Sequence, residues 1–150
     1  MRRFIAAGFG VGFLPRRLWK SDSGAGTFGA ALAALVALAM IDTGWIAQAA
    51  VAIFTIGVSL WASAPFAEDG SDPGWVCIDE MAGTFVAVIG LAGWPWVVAV
   101  VVARLADIFK VLPGVGAAEQ LHGAVGVTMD DVVAGIYGLA AGWLTFAILG

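Results

Sequence analysis

Long stretches without a charged side chain dominate this sequence and leave few folds open to it. Residues 23–41 run for nineteen residues without charge, 45–66 for twenty-two and 81–103 for twenty-three, and the stretch Asp131 to Leu149 is charged only at its first residue. A helix needs about 20 apolar residues to cross a hydrocarbon core of ~30 Å. Composition agrees: 61% of residues are hydrophobic and 12% charged, against about 45–50% and about 25% in soluble domains. Mean hydropathy is +0.98. The expected fold is therefore all-α, a polytopic membrane helical bundle of about five helices in one domain spanning residues 1–150.

The same totals exclude other classes. A net charge of −4, with no basic tract interleaved with aromatics, argues against nucleic-acid binding. A single cysteine, Cys77, excludes an intrachain disulfide.

The N-terminus, Met1-Arg-Arg followed by Phe4 to Leu14, imitates a signal peptide, but Pro15-Arg-Arg17 follows where a small-residue cleavage site would stand. The apolar run is too short to span, and basic flanks on both sides keep its ends together. A short interfacial or re-entrant helix is expected.

Further along, residues 23–41 and 45–66 form a helical hairpin broken at Asp42-Thr-Gly44. A polar loop follows, and Ser71-Asp-Pro-Gly74 ends it. Residues 81–103 admit one span kinked at Pro95 or two helices reversing at Gly93-Trp-Pro-Trp96. The hairpin is favoured, with helices at about Trp75–Ala92 and Trp96–Lys110, because proline begins helices better than it continues them and paired tryptophans mark interfaces. A glycine-containing connection, Val111 to Thr128, leads to a last span from Asp131. In this topology every Lys and Arg, His122 and every acid except Asp42 share one face. By the positive-inside rule it is cytoplasmic.

Two acidic pairs stand at the heads of apolar stretches, Asp79-Glu80 and Asp130-Asp131. Each is followed by two or three apolar residues and a glycine, Gly83 and Gly135, which would let another helix or a ligand approach closely. A pair by itself is explained by the positive end of a helix dipole. Four clustered carboxylates repel strongly unless a cation neutralises them, and a hard divalent ion such as magnesium suits oxygen donors. Arg104, Asp107 and Lys110 recur at intervals of three. They read as intrahelical ion pairs, or as a further acid for the metal with two cations for a phosphate. Thr27, in Gly24-Ala-Gly-Thr27, reads as a helix N-cap or an anion contact. His122 stands in a glycine-rich loop before the second pair, as a structural residue or a phosphate contact. Cys77 reads as packing. Gly135, Gly138 and Gly142 read as a small-residue face for close helix contact.

Taken in order, Gly26-Thr27, then Asp72-Pro-Gly-x-x-x-x-Asp79-Glu80-x-x-Gly83, then Arg104-x-x-Asp107-x-x-Lys110, then His122-Gly-x-x-Gly126-x-x-x-Asp130-Asp131-x-x-Ala134-Gly135, the sequence resembles the phosphatidylglycerophosphatase A family from Gly8 to about Gly142. It departs in having Ala25 and Ala30 around Gly26-Thr27, and Lys110-Val-Leu-Pro113 where the family often has Lys-Pro-x-Pro. The resemblance implies a magnesium-dependent lipid phosphatase of the bacterial inner membrane that converts phosphatidylglycerophosphate to phosphatidylglycerol and phosphate. Metal ligands would be Asp79, Glu80, Asp130 and Asp131, with Asp107 assisting. Substrate contacts would come from Thr27, Arg104, Lys110 and His122, with Asp72 a further candidate in the turn. Attack by water and by an Asp nucleophile both stay open. The rival readings are a non-catalytic divalent-cation-binding or transport protein, and a CDP-alcohol phosphotransferase, whose Asp-Gly-x-x-Ala-Arg run is missing. Oligomeric state is not legible.

Overall fold

A computed structural model describes residues 1–67 and 73–149. Among them the chain is helical throughout, without a strand. Eight α-helices follow in order: α1 (Arg2–Ala6), α2 (Leu14–Trp19), α3 (Ala25–Ala39), α4 (Trp45–Ser63), α5 (Ile78–Ala87), α6 (Gly93–Phe109), α7 (Val115–Glu119) and α8 (Gly123–Leu149). Single 3-10 turns at Val11–Phe13, Ile41–Thr43 and Ala64–Phe66 join some of them.

The expected count of about five helices plus an N-terminal one is thus replaced by eight of unequal length. Two segments are long and apolar enough to cross a membrane, Trp45–Phe66 with 22 residues and Gly123–Leu149 with 27. Helix α3 has 15 residues, α6 has 17 and α5 only 10. At ~1.5 Å per residue α5 is about 15 Å long, roughly half a hydrocarbon core. It is instead the buried centre of the molecule: every one of its residues except Glu80 is buried. The N-terminal segment is two short helices, with Gly8, Phe9 and Gly10 all at positive φ between them.

Residues 81–110 do form a hairpin. The reversal lies at 88–92, earlier than Gly93-Trp-Pro-Trp96, and turns on Gly90 at φ +71°. Gly93 to Trp96 is the first turn of α6, where Pro95 lacks an N–H that would have no helical partner in any case. Glycines set how the hairpin packs on α8. A Cβ on Gly83 or Gly135 would strike the backbone of the facing helix, so α5 and α8 touch along those two residues. Gly138 lies against Ala99 and Ala103, and Gly142 against Leu91, Pro95 and Ala99. Contacts run from Gly83–Asp131 in α5 to Leu91–Gly142 in the turn after it, making α5 and α8 parallel, whereas α6 is antiparallel to α8.

The connection expected over 111–128 contains α7, and α8 begins at Gly123, eight residues before Asp131. Gly126 and Thr128 are buried there, and the Thr128 and Ser59 hydroxyls share a 2.8 Å hydrogen bond between α8 and α4. The glycines that suggested a loop serve helix packing. At the far end, Gln48 ties two turns together: its Oε1 accepts the Gly90 N–H at 2.7 Å and its Nε2 donates to the Met40 carbonyl at 3.2 Å. Links α3–α4 and α5–α6 therefore share one end of the bundle, and the acidic pairs occupy the other.

Candidate active site

The site is built where α5 begins beside the third turn of α8. Asp79 and Glu80 are the second and third residues of α5, and Asp131 is the ninth of α8. Asp79 and Gly83 are four residues apart, as are Asp131 and Gly135, so each acid shares a helix face with its glycine. Contact of the two glycines in a parallel pair therefore stacks the acids one turn earlier. Carboxylate oxygens of Asp79, Glu80 and Asp131 all lie within 4.8 Å of one another. Asp79 Oδ1 and Glu80 Oε2 are buried without a hydrogen-bond partner among the described residues.

Glu80 is held from a third side by α3. A Cβ on Gly26 would overlap the Glu80 carboxyl, and one on Gly29 would meet the Cys77 carbonyl at 2.6 Å. The first turn of α3 thus closes on the acids through glycines three residues apart. It was Thr27 beside them that the sequence put forward. Thr27 is exposed in that first turn, and the N-cap is Gly24 in a left-handed conformation, so the N-cap reading of Thr27 is corrected.

The second acid of the α8 pair points elsewhere. Asp130 Oδ2 accepts from Lys110 Nζ at 2.9 Å, and its Oδ1 accepts the Asp131 N–H at 2.9 Å. Successive residues on a helix diverge by about 100°, so Asp130 turns to α6 while Asp131 turns to α5. Arg104 Nη1 pairs with Asp107 Oδ2 at 2.6 Å, as the intrahelical reading expects, and its Nε is buried without a partner. These ions remain near the cluster: the charge on Asp130 acts on Asp79, and those on Asp107 and Arg104 act on Asp131. His122 is exposed just before α8, eight residues from Asp130 or about 12 Å along the axis at ~1.5 Å per residue. Asp72 lies outside the described residues.

Burial dominates the electrostatics at the head of α5, which is outside the two membrane-length segments. It pushes Asp79 up to about 6 against the opposing hydrogen bonds. Glu80 is raised well above the usual carboxylate range, by burial first and then by the charges of Asp79 and Asp131. Cys77, wholly buried against Gly8, Gly12 and Gly29, is pushed up to about 12 by burial and then by Asp79. It stays a neutral thiol, in keeping with its packing role. Burial opposes ionisation of the acids too, and a bound cation would favour their charged forms. Clustered, buried oxygens with open lone pairs fit a hard divalent cation. The donor set contains no nitrogen or sulfur.

A family model for phosphatidylglycerophosphatase A matches residues 4–146, across all the elements that build this centre. The chain belongs to the phosphatidylglycerophosphatase A family. Two relatives extend over most of its length. A Bacteroides thetaiotaomicron protein carrying the provisional name phosphatidylinositol-3-phosphatase is 36% identical over 145 residues, covering 89% of this chain and 86% of that one. The Escherichia coli strain K12 protein named phosphatidylglycerophosphatase A is 29% identical over 147 residues, covering 95% and 80%. No solved structure matches. For a member of this family, the α5–α8 crossing is the part that gathers the motif acids; Gly26 stands in the motif, and Gly29, one turn on, is the part that sequence reading passed over. Its signal was Gly26 and Gly29 at one-turn spacing on an otherwise alanine-rich helix.

Proposed function

We propose that this protein is a magnesium-dependent lipid phosphatase that hydrolyses phosphatidylglycerophosphate to phosphatidylglycerol and phosphate, working at the cytoplasmic face of a bacterial inner membrane. The observation that carries the reading is the meeting of Asp79, Glu80 and Asp131, with two orphaned carboxylate oxygens, in a chain of this family.

In this reading Asp79, Glu80 and Asp131 hold the ion, and Asp130 and Asp107 complete its acidic surroundings. A bound divalent cation supplies charge neutralisation and Lewis-acid polarisation of the phosphoryl group. Arg104 and Lys110 stand on α6 beside the acids, where their charges offset those on phosphoryl oxygens as the ester bond breaks. Their pairing with Asp107 and Asp130 keeps both cations oriented before substrate arrives. Exposed Thr27 and His122 contact the phosphate from the solvent side. A carboxylate of the cluster either orients the attacking water or itself attacks phosphorus to give a phosphoaspartate. Trapping in a single turnover separates these routes: solvent oxygen-18 enters the released phosphate in both, and only the second yields a phosphoenzyme.

A second substrate reading has its own support, since the Bacteroides relative is named for a phosphoinositide substrate. Both lipids present a phosphomonoester on a headgroup, so the chemistry at the acids is shared. Phosphate release from each lipid by purified protein with magnesium distinguishes them. Release from neither, where a control phosphatase works, would leave the non-catalytic cation-binding reading in its place.

A further inference from the structure

We propose that the N-terminal segment carries a separate site for one anionic phospholipid of the bilayer, with its phosphate among Arg3, Arg16 and Arg17. Residues 1–21 contain five of the seven Lys and Arg side chains and no acid, so they carry +5 while the remainder carries 2 − 11 = −9. An excess this polarised favours an anionic partner and sits beside a site full of carboxylates that would repel one.

The arginines are gathered into a cavity. Arg3, Arg16 and Arg17 line a cleft of about 530 Å³ together with Phe4 and Phe13. All three are exposed, and among the described residues Asp22 is the carboxylate paired with them, reaching Arg16 only at 3.9 Å. Arg3 is fixed by lying over the rings of Phe13 and Trp75, 5.5 and 5.3 Å from their centroids. Guanidinium groups bind phosphate oxygens bidentately, which suits a cleft lined by three of them.

A second cleft identifies the ligand as a lipid rather than a soluble anion. About 500 Å³ in volume, it shares Phe4, Phe13 and Arg17 with the first and is continued by Phe9, Val11 and Leu14. Phosphate in the basic cleft would leave an acyl chain to lie along the Phe9, Val11 and Leu14 side of this mixed one. The depth is also right. Arg2 lies 4.7 Å over the ring of Trp61, near the end of the membrane-length segment Trp45–Phe66. Trp and Arg collect at headgroup level, so the pair marks this end of the segment as the interfacial one. Exposed Leu18 and Trp19 beside the arginines present further apolar surface to the bilayer.

The site rests on membrane insertion and not on turnover at the acids. Its test is native mass spectrometry of purified full-length protein from micelles containing equal phosphatidylglycerol and phosphatidylcholine. Arg17→Gln is compared with Lys20→Gln, which removes the same charge outside the cleft and leaves the Arg2–Trp61 contact in place. Both side chains are solvent-exposed, and circular dichroism checks that both variants fold. Wild type is expected to retain phosphatidylglycerol over phosphatidylcholine, the cleft variant to lose at least fivefold of that occupancy and the control less than twofold. Equal losses in both variants would overturn the proposal in favour of diffuse attraction. Complete displacement by millimolar inorganic phosphate would overturn it in favour of a soluble anion, and no preference in wild type would overturn it outright.

Discussion

Gly83 and Gly135 face each other across the α5–α8 crossing with no room for a side chain on either: a Cβ on Gly83 would stand 2.5 Å from the Asp131 carbonyl oxygen, and one on Gly135 would strike the Gly83 carbonyl. Each follows an acid by four residues. The closeness of the glycines therefore sets the closeness of Asp79 and Asp131.

Gly83→Ala and Gly135→Ala are expected to push the helices apart. Overpacking of this kind costs about 1–3 kcal/mol, and the gap between the carboxylates would widen with it. Thermal melting in detergent should fall for both, and magnesium should stabilise them less than wild type. Unchanged melting and unchanged magnesium stabilisation would show that the crossing tolerates a methyl.

Asp79→Asn and Asp131→Asn are expected to separate function from stability. Each removes one of three crowded charges, so the metal-free protein should melt no lower than wild type. Magnesium-dependent phosphate release should drop at least 100-fold, a loss of about 2.7 kcal/mol of barrier lowering or more. Activity surviving in both variants would move the reaction away from this centre.

Asp79 also predicts a pH dependence. Its carboxyl titrates at about 6 in the folded protein and near ~3.9 when unfolded. The folded state holds the proton more tightly, so the cost of ionising it is absent below about pH 4, grows up to about pH 6 and is complete above that. Protein stripped with EDTA should melt lower at pH 8 than at pH 5, and added magnesium should close the difference at pH 8. Melting at pH 8 that ignores both EDTA and magnesium would count against a cation here.

Lys110 and Asp130 make a pair whose members are not equivalent when lost. Lys110→Met leaves the nearly buried Asp130 carboxylate without its cation, at a cost of about 1–3 kcal/mol for an unsatisfied buried group. Lys110→Met/Asp130→Asn should recover part of that loss in a urea or thermal melt. Additive losses in the double variant would mean that the two side chains do not interact.

Sidedness is testable by labelling. Gly74→Cys and Lys110→Cys are expected to react from the same side of the membrane with an impermeant maleimide, while native Cys77 stays unlabelled because it is buried. Opposite labelling would separate the head of α5 from the end of α6.

Much of this molecule was legible from the chain. Long uncharged runs gave helices because 3.6-residue periodicity and apolar composition act locally, and the acid-to-glycine spacing named both partners of the central crossing. Gly93-Trp-Pro-Trp96 marked the hairpin, though its turn came at 88–92, where the Gln48 amide oxygen accepts the Gly90 N–H, a contact between residues 42 apart. The start of α8 was misplaced for a similar reason. Glycines between His122 and Thr128 look like loop from local propensity, yet burial of Gly126 and the Ser59–Thr128 hydrogen bond hold them helical. Which acids meet was likewise beyond local pattern. Four carboxylates and their nearest cations are fixed by sequence, but helical phase at the crossing sends Asp131 to Asp79 and Glu80 and turns Asp130 to Lys110. Composition and spacing determine the helices and the chemistry available to them; the rotation of each helix about its axis, set by which glycines let two backbones touch, decides which of those groups form the site.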